Sequence, residues 1–196
     1  MFYVFGLGNP GKEYNKTRHN IGRDVLLSVA ESEGNTSWQH DKYANAQVTR
    51  LSLGHKPVEF WLPETFMNRS GETVAYVKKE ADANDSQFLV VYDDVDLPLG
   101  EVKVSRGKGD GGHNGIKSII KALGSKDFVR IRIGVAPKSL WTGKTARPSG
   151  HNLSKHVLGK FGYFERSKVE DLANIVTNIL KVIVSEGVDT AMNRFN

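Results

Sequence analysis

Phe88-Leu89-Val90-Val91-Tyr92-Asp93-Asp94-Val95-Asp96-Leu97-Pro98 changes character in its middle: five apolar residues are followed at once by carboxylates at 93, 94 and 96. An apolar run of that length with no alternation of polar residues reads as a strand buried on both faces. Such a strand belongs to a sheet with helices on both sides, and Asp93 then stands where the strand emerges at the sheet's carboxyl edge, the place where α/β folds bind ligands.

The flanking sequence has the same texture. Strand-like runs recur at Phe2 to Leu7, Gln47 to Leu53, Val58 to Leu62, Val102 to Ser105 and Val129 to Val135, each rich in β-branched or aromatic residues. Helical spacing separates them: Ile21, Val25, Leu26 and Val29 form one apolar stripe, Val74, Val77 and Ala81 a second, and Ile116, Ile119, Ile120 and Leu123 a third, with Gly124 as its C-cap. The longest stripe, Val169 to Ile183, is core and ends at Gly187. The alternation predicts an α/β fold: a single domain over residues 1–196, with a mixed, mostly parallel twisted sheet and helices on both faces. The close pair 47–62 supplies its antiparallel strands. Pro137 to Gly150 has three basic residues and no periodicity, and reads as a surface loop.

Composition narrows the chemistry. A chain of 196 residues, 39% hydrophobic and 25% charged, suffices for one well-buried core. Twenty-seven Lys and Arg against twenty-two Asp and Glu give a formal charge of +5 and a pI near 9.3, a mild lean toward a polyanionic partner. With no cysteine, a disulfide framework, a thiolate metal site and a cysteine nucleophile are all excluded. The apolar start Met1 to Leu7 is too short for a signal sequence or membrane span, so a cytoplasmic protein is expected.

Five loops carry candidate chemistry. Gly6-Leu7-Gly8-Asn9-Pro10-Gly11 formally matches a dinucleotide fingerprint, but no helix opens at its third glycine and the acidic residue about 20 positions on, Glu31, falls near a helix end. Gly143-Lys144-Thr145 lacks the earlier glycine of a phosphate loop. Thr17-Arg18-His19-Asn20 places a histidine at the first helix's entrance, where a cap or surface role is the plain alternative. Asp94 and Asp96 are too few for a convincing magnesium site without a phosphate loop. Phe66-Met67-Asn68-Arg69-Ser70-Gly71 and Gly111-Gly112-His113-Asn114-Gly115 each precede a helix, so Asn68 and Asn114 read either as N-caps or, with Asn9, as amides lining one cleft, while His113 reads equally well as structural.

Taken together, GLGNPG, YNKTRHN, TFMNRSG, YDDVDLPLG and GGHNG resemble the bacterial-type peptidyl-tRNA hydrolase family, from Phe2 to about Ile133, with FVRIRIG and HVLGKF continuing the likeness. The resemblance implies that His19 activates a water, oriented by Asp93; that Asn9, Asn68 and Asn114 hold the peptide; and that Tyr14 and Met67 line the cleft. It implies a monomeric enzyme acting on peptidyl-tRNA, through the peptide and the tRNA acceptor arm, with no membrane, metal or cofactor. Lys103, Arg106, Lys108 and Arg132 are its tRNA-binding candidates. Two departures from the family pattern stand out: the spacing of basic residues in KVSRGKG (103–109), and the long loop at 137–150, where Lys138, Lys144 and Arg147 either extend the tRNA surface or form an idle insertion. A non-catalytic RNA-binding protein on the same fold is the alternative, from which the His19 and Asp93 pair distinguishes the enzyme.

Overall fold

The computed structural model describes residues 1–137 and 145–196. Seven strands, β1 (Phe2–Gly6), β2 (Gln39–Asp41), β3 (Ala46–Leu53), β4 (Lys56–Pro63), β5 (Phe88–Pro98), β6 (Val102–Arg106) and β7 (Val129–Ala136), form one sheet in the order β2-β3-β4-β1-β5-β7-β6. The central strands β4, β1, β5 and β7 run parallel, and antiparallel pairs flank them on both sides. The β3–β4 hairpin turns on Gly54 and His55, both at positive φ, as a two-residue turn with the right twist requires.

Helices α1 (Ile21–Ser32), α5 (Arg166–Glu186) and α6 (Val188–Phe195) cover one face of the sheet; α2 (Ser70–Ala81) and α3 (Asn114–Leu123) cover the other, and the short α4 (His151–Val157) follows β7. Alternation sorts the central strands between the two cores: Val4, Leu89 and Val91 face α1 and α5, whereas Phe5, Phe88, Val90 and Tyr92 lie with α2 and α3. The mixed sheet with helices on both faces agrees with the sequence reading. No helix among the described residues is long and apolar enough to cross a membrane.

Three features differ from the expectations. β5 does not stop at Tyr92 but continues to Pro98, its register slipping between Asp94 and Pro98, because the Asp-rich segment stays paired with β7 after β1 has ended. Neither α4 nor α6 shows a sequence stripe long enough to announce it. Gly187, at φ 98°, ends α5 and opens α6 in one step. α6 delivers Asn196 to the sheet edge, where its side-chain amide accepts from Val104 N–H and donates to Val104 C=O, each at 2.9 Å, as a neighbouring strand would. Lys138 and Lys144 lie outside the described residues.

Candidate active site

β1 stops at Gly6, level with Val91 of β5. The chain runs from β1 out to β4 and back across to β5, so the carboxyl end of β1 is where the strand order reverses, and a crevice opens there. Asp93 projects beyond that stop. His19 reaches it from the turn before α1 on one face, and His113 from the turn before α3 on the other.

α1 is docked by close backbone contact. Leu7 N–H donates to Val91 C=O and Arg23 N–H to Leu7 C=O, both at 3.0 Å. Gly22 lies so near β5 that an added Cβ would stand 2.1 Å from Val91 O, so only glycine lets the helix approach this far. Buried Asn20, unremarked in the sequence, grips the main chain of Asn9: its Oδ1 accepts from Asn9 N–H at 2.8 Å and its Nδ2 donates to Asn9 C=O at 2.9 Å. His19 is thereby held between two fixed neighbours.

Asp93, 2% exposed, accepts from His19 Nδ1 at 2.9 and 3.0 Å and from His113 Nε2 at 2.9 Å. The histidine tautomers follow from their partners. His113 is the N-cap of α3, its Nδ1 accepting from the backbone N–H of Gly115 and Ile116 at 3.2 and 3.3 Å. The hydrogen of neutral His113 is therefore on Nε2, pointing at Asp93. His19 bonds the carboxylate through Nδ1, which leaves Nε2 to act on a substrate. Burial opposes the charging of His19, but the adjoining carboxylate outweighs it and holds the imidazole pKa above its ordinary 6.5. Burial likewise opposes ionisation of Asp93, and the two imidazoles outweigh that, holding the carboxyl well below the usual carboxylate range.

The ligand atoms of His19, Asp93 and His113 lie within 4.8 Å of one another, a spacing a metal ion could also use. Here that spacing is taken up by the ring-to-carboxylate hydrogen bonds. Asp94 and Asp96 are committed elsewhere: Asp94 pairs with Arg132 at 2.7 Å and Asp96 with Arg147 at 2.9 Å.

The asparagines divide into two kinds. Asn9 is buried, and its Oδ1 accepts from Met67 N–H at 2.8 Å, which ties the first loop to the loop before α2. Asn68 and Asn114 are exposed and cap nothing, since Phe66 and Arg69 precede the short helical turn at Met67–Arg69 and α2, and His113 caps α3. They face a common groove of about 520 Å³ between α2 and α3. Gly71 lets the two helices approach closely, since an added Cβ there would stand 2.3 Å from Ser118 O. Asn114 also lines the pocket holding His19, Asp93 and His113, so pocket and groove meet at that residue. Tyr14 stacks edge-on against exposed Phe66, their ring centroids 6.4 Å apart, the Phe66 ring directly preceding Met67 and Asn68. Met67, by contrast, is buried in the core beneath α3, its sulfur beside Gly115.

The basic candidates cluster on β6, β7 and the following loop. Lys103 and Arg132 are cross-strand partners. Buried Arg130 donates to the carbonyls of Lys108 and Gly109, shaping the loop that carries Lys108 toward the pocket residues Asp110 and Gly111. Arg106 pairs with Asp127 at 3.2 Å, and Arg132 is engaged with Asp94. Among the described residues, Lys103 and Lys108 have no acidic partner. Arg147 donates to Asp96 and to Gly111 C=O, which puts its own side chain beside a residue that lines the pocket.

The chain matches known proteins over its whole length. The family model described as Peptidyl-tRNA hydrolase covers residues 3–196. A peptidyl-tRNA hydrolase of Clostridium acetobutylicum is 37% identical over 196 residues, covering all of this chain and 98% of the relative; one of Syntrophotalea carbinolica is 38% identical over 197 residues, covering 100% and 97%. The crystal structure of peptidyl-tRNA hydrolase from Acinetobacter baumannii superposes with a TM-score of 0.88 at 31% identity, covering 100% of this chain and 94% of that one. With the family model matched over residues 3–196 and such relatives alike over its full length, the chain belongs to the peptidyl-tRNA hydrolase family.

Proposed function

We propose that the chain hydrolyses the ester between the carboxyl group of a peptide and the terminal ribose of tRNA, with His19 as general base. The observation that carries this reading is the bond from His19 Nδ1 to buried Asp93, which leaves Nε2 as the free acceptor. In the proposed step His19 Nε2 takes a proton from water as the water oxygen attacks the ester carbonyl. The tetrahedral intermediate then collapses, the C–O bond to the ribose breaks, the ribose oxygen leaves with the proton returned by His19, and the peptide acid loses the second water proton to solvent as its carboxylate. The arrangement is that of a Ser-His-Asp triad with water in place of serine.

Asp93 remains ionised throughout, stabilising the imidazolium as it forms, and the second hydrogen bond from His113 keeps its oxygens in place. The exposed amides of Asn114 and Asn68 suit main-chain recognition, offering a donor and an acceptor each, and Asn114 stands close enough to the pocket to polarise the carbonyl. Buried Asn9 takes part by fixing the Met67–Asn68 turn through its Oδ1, with its Nδ2 as the donor toward the peptide. Lys103, Arg106, Lys108 and Arg132 serve in this reading as phosphate contacts for the acceptor arm, and Tyr14 as a contact for the substrate.

The test is to incubate the purified chain with an N-blocked aminoacyl-tRNA and with its unblocked counterpart. Selective release from the blocked form is expected. Binding of both without release would favour a non-catalytic RNA-binding protein.

A further inference from the structure

The geometry points to a charge preference in the peptide: Lys117 and Lys121 on α3 make the groove beyond Asn114 a subsite for acidic side chains in the residues just before the esterified one. The inference rests on the ester-hydrolase reading. A peptide whose carbonyl lies beside His19, and whose main chain meets Asn114 and then Asn68, has the groove between α2 and α3 as its continuation, because Asn114 borders both spaces.

The groove's charges are not balanced. Arg69 and Glu72 cancel each other through two hydrogen bonds at 2.8 and 2.9 Å. Lys117 and Lys121, one helical turn apart on the same face of α3, are exposed and have no acidic partner within 4.0 Å among the described residues. The path from Asn114 to Lys121 is about 10 Å at a helical rise of about 1.5 Å per residue, enough for about three residues of extended chain. Both ammonium groups are thus within reach of peptide side chains while remaining beyond the pocket that holds the reacting ester.

Each exposed charge pair changes binding by a factor of about 1.4 to 5. Two lysines that attract a glutamate and repel a lysine therefore set a ratio of about tenfold between otherwise identical peptides.

The experiment uses N-blocked peptidyl-tRNAs on one tRNA, differing only in Glu, Ser or Lys at two positions upstream of the esterified residue, and measures kcat/KM at low ionic strength. The glutamate substrate is expected to exceed the lysine substrate about tenfold, with serine between, and added salt should compress the ratio. The variant Lys117→Glu/Lys121→Glu should reverse the order. Equal rates within a factor of two in the parent, or an order unchanged in the variant, would overturn the inference. Should the double variant fold poorly, Lys121→Gln serves instead, with the ratio expected to fall about twofold and an unchanged ratio counting against the subsite. Cleavage of none of the substrates would sink the hydrolase reading and this subsite with it, an outcome distinct from cleavage without charge preference.

Discussion

Replacing Asp93 by asparagine tests the central geometry with almost no change in side-chain volume. The carboxylate takes three hydrogen bonds, two from His19 and one from His113. Asparagine offers one acceptor oxygen and one NH₂ donor in the same place. His113 cannot adapt, since its Nδ1 is already accepting from the first turn of α3 and its Nε2 must donate. The variant oxygen therefore goes to His113, and the NH₂ confronts His19 Nδ1. His19 answers by moving its hydrogen to Nε2, which removes the acceptor that the water needs. General-base assistance is worth about 10²–10⁴ in rate, and the corresponding tautomer error in a serine protease triad costs about 10⁴, so kcat should fall by about 10²–10⁴. The assay is single-turnover release of the blocked aminoacyl group across pH. In the parent, activity should rise as His19 loses its proton, with a midpoint above 6.5, because Asp93 outweighs burial there. Without the carboxylate only burial acts, so the residual activity should have its midpoint shifted downward. Parental kcat with an unmoved midpoint in Asp93→Asn would refute the reasoning. Stability follows the same linkage: the depressed pKa of Asp93 contributes stability at pH above its ordinary 3.8 and loses it as pH falls toward the native value, while the raised pKa of His19 contributes below 6.5 and is lost as pH rises through its native value.

Asn68→Ala and Asn114→Ala should leave unfolding free energy within about 0.5 kcal/mol of the parent, since neither side chain caps a helix, while lowering kcat/KM; chemical denaturation and steady-state kinetics measured together would expose a structural role as a stability loss with normal activity. Arg132→Ala should raise KM and spare kcat, and should reduce the slope of log KM against log salt by about 0.7 to 0.9; an unchanged slope would remove Arg132 from the phosphate contacts. Gly22→Ala should destabilise by about 1–3 kcal/mol even though alanine favours helices, because its Cβ cannot fit against Val91 O, and a thermal midpoint at or above the parent's would contradict the close docking of α1. EDTA treatment should leave the rate unchanged, and loss of activity restored by Zn²⁺ would turn the His19, Asp93 and His113 cluster into a metal centre.

The alternation of strands and helices was legible because buried strands and helix stripes have different periods, and it located the carboxyl edge where His19 and Asp93 meet. The asparagines were visible as loop amides, but the choice between cap and cleft was not, since a cap depends on which residue's φ and ψ open the helix. At α3 that residue is His113, one position before Asn114. The second role of His113, as donor to Asp93, depends on two loops meeting across the end of β1, a contact between residues 20 apart that no local pattern records. Met67 reads as a cleft residue but lies in the core, because successive side chains of the short helical turn at Met67–Arg69 project about 120° apart, so that Met67 turns inward while Asn68 and Arg69 turn out. Asp94 and Asp96 read as too few for a cation site, and their actual partners, Arg132 and Arg147, come from distant segments that no local pattern connects to them.

The amide of Asn196 bears on how copies of this chain behave when crowded together. A sheet's outer strands display unpaired N–H and C=O groups on which another extended chain can add, the usual route to sheet-mediated aggregation. One border here is β2, only three residues long and too short to template a stable addition. The other is β6, whose central residue, Val104, already has both outward groups satisfied by Asn196. A single side chain thus interrupts the ladder at its middle, leaving no run of free backbone groups long enough for an incoming strand, and the sheet is guarded against growth on the side where the alternate, outward-facing residues of β6 would otherwise stand open.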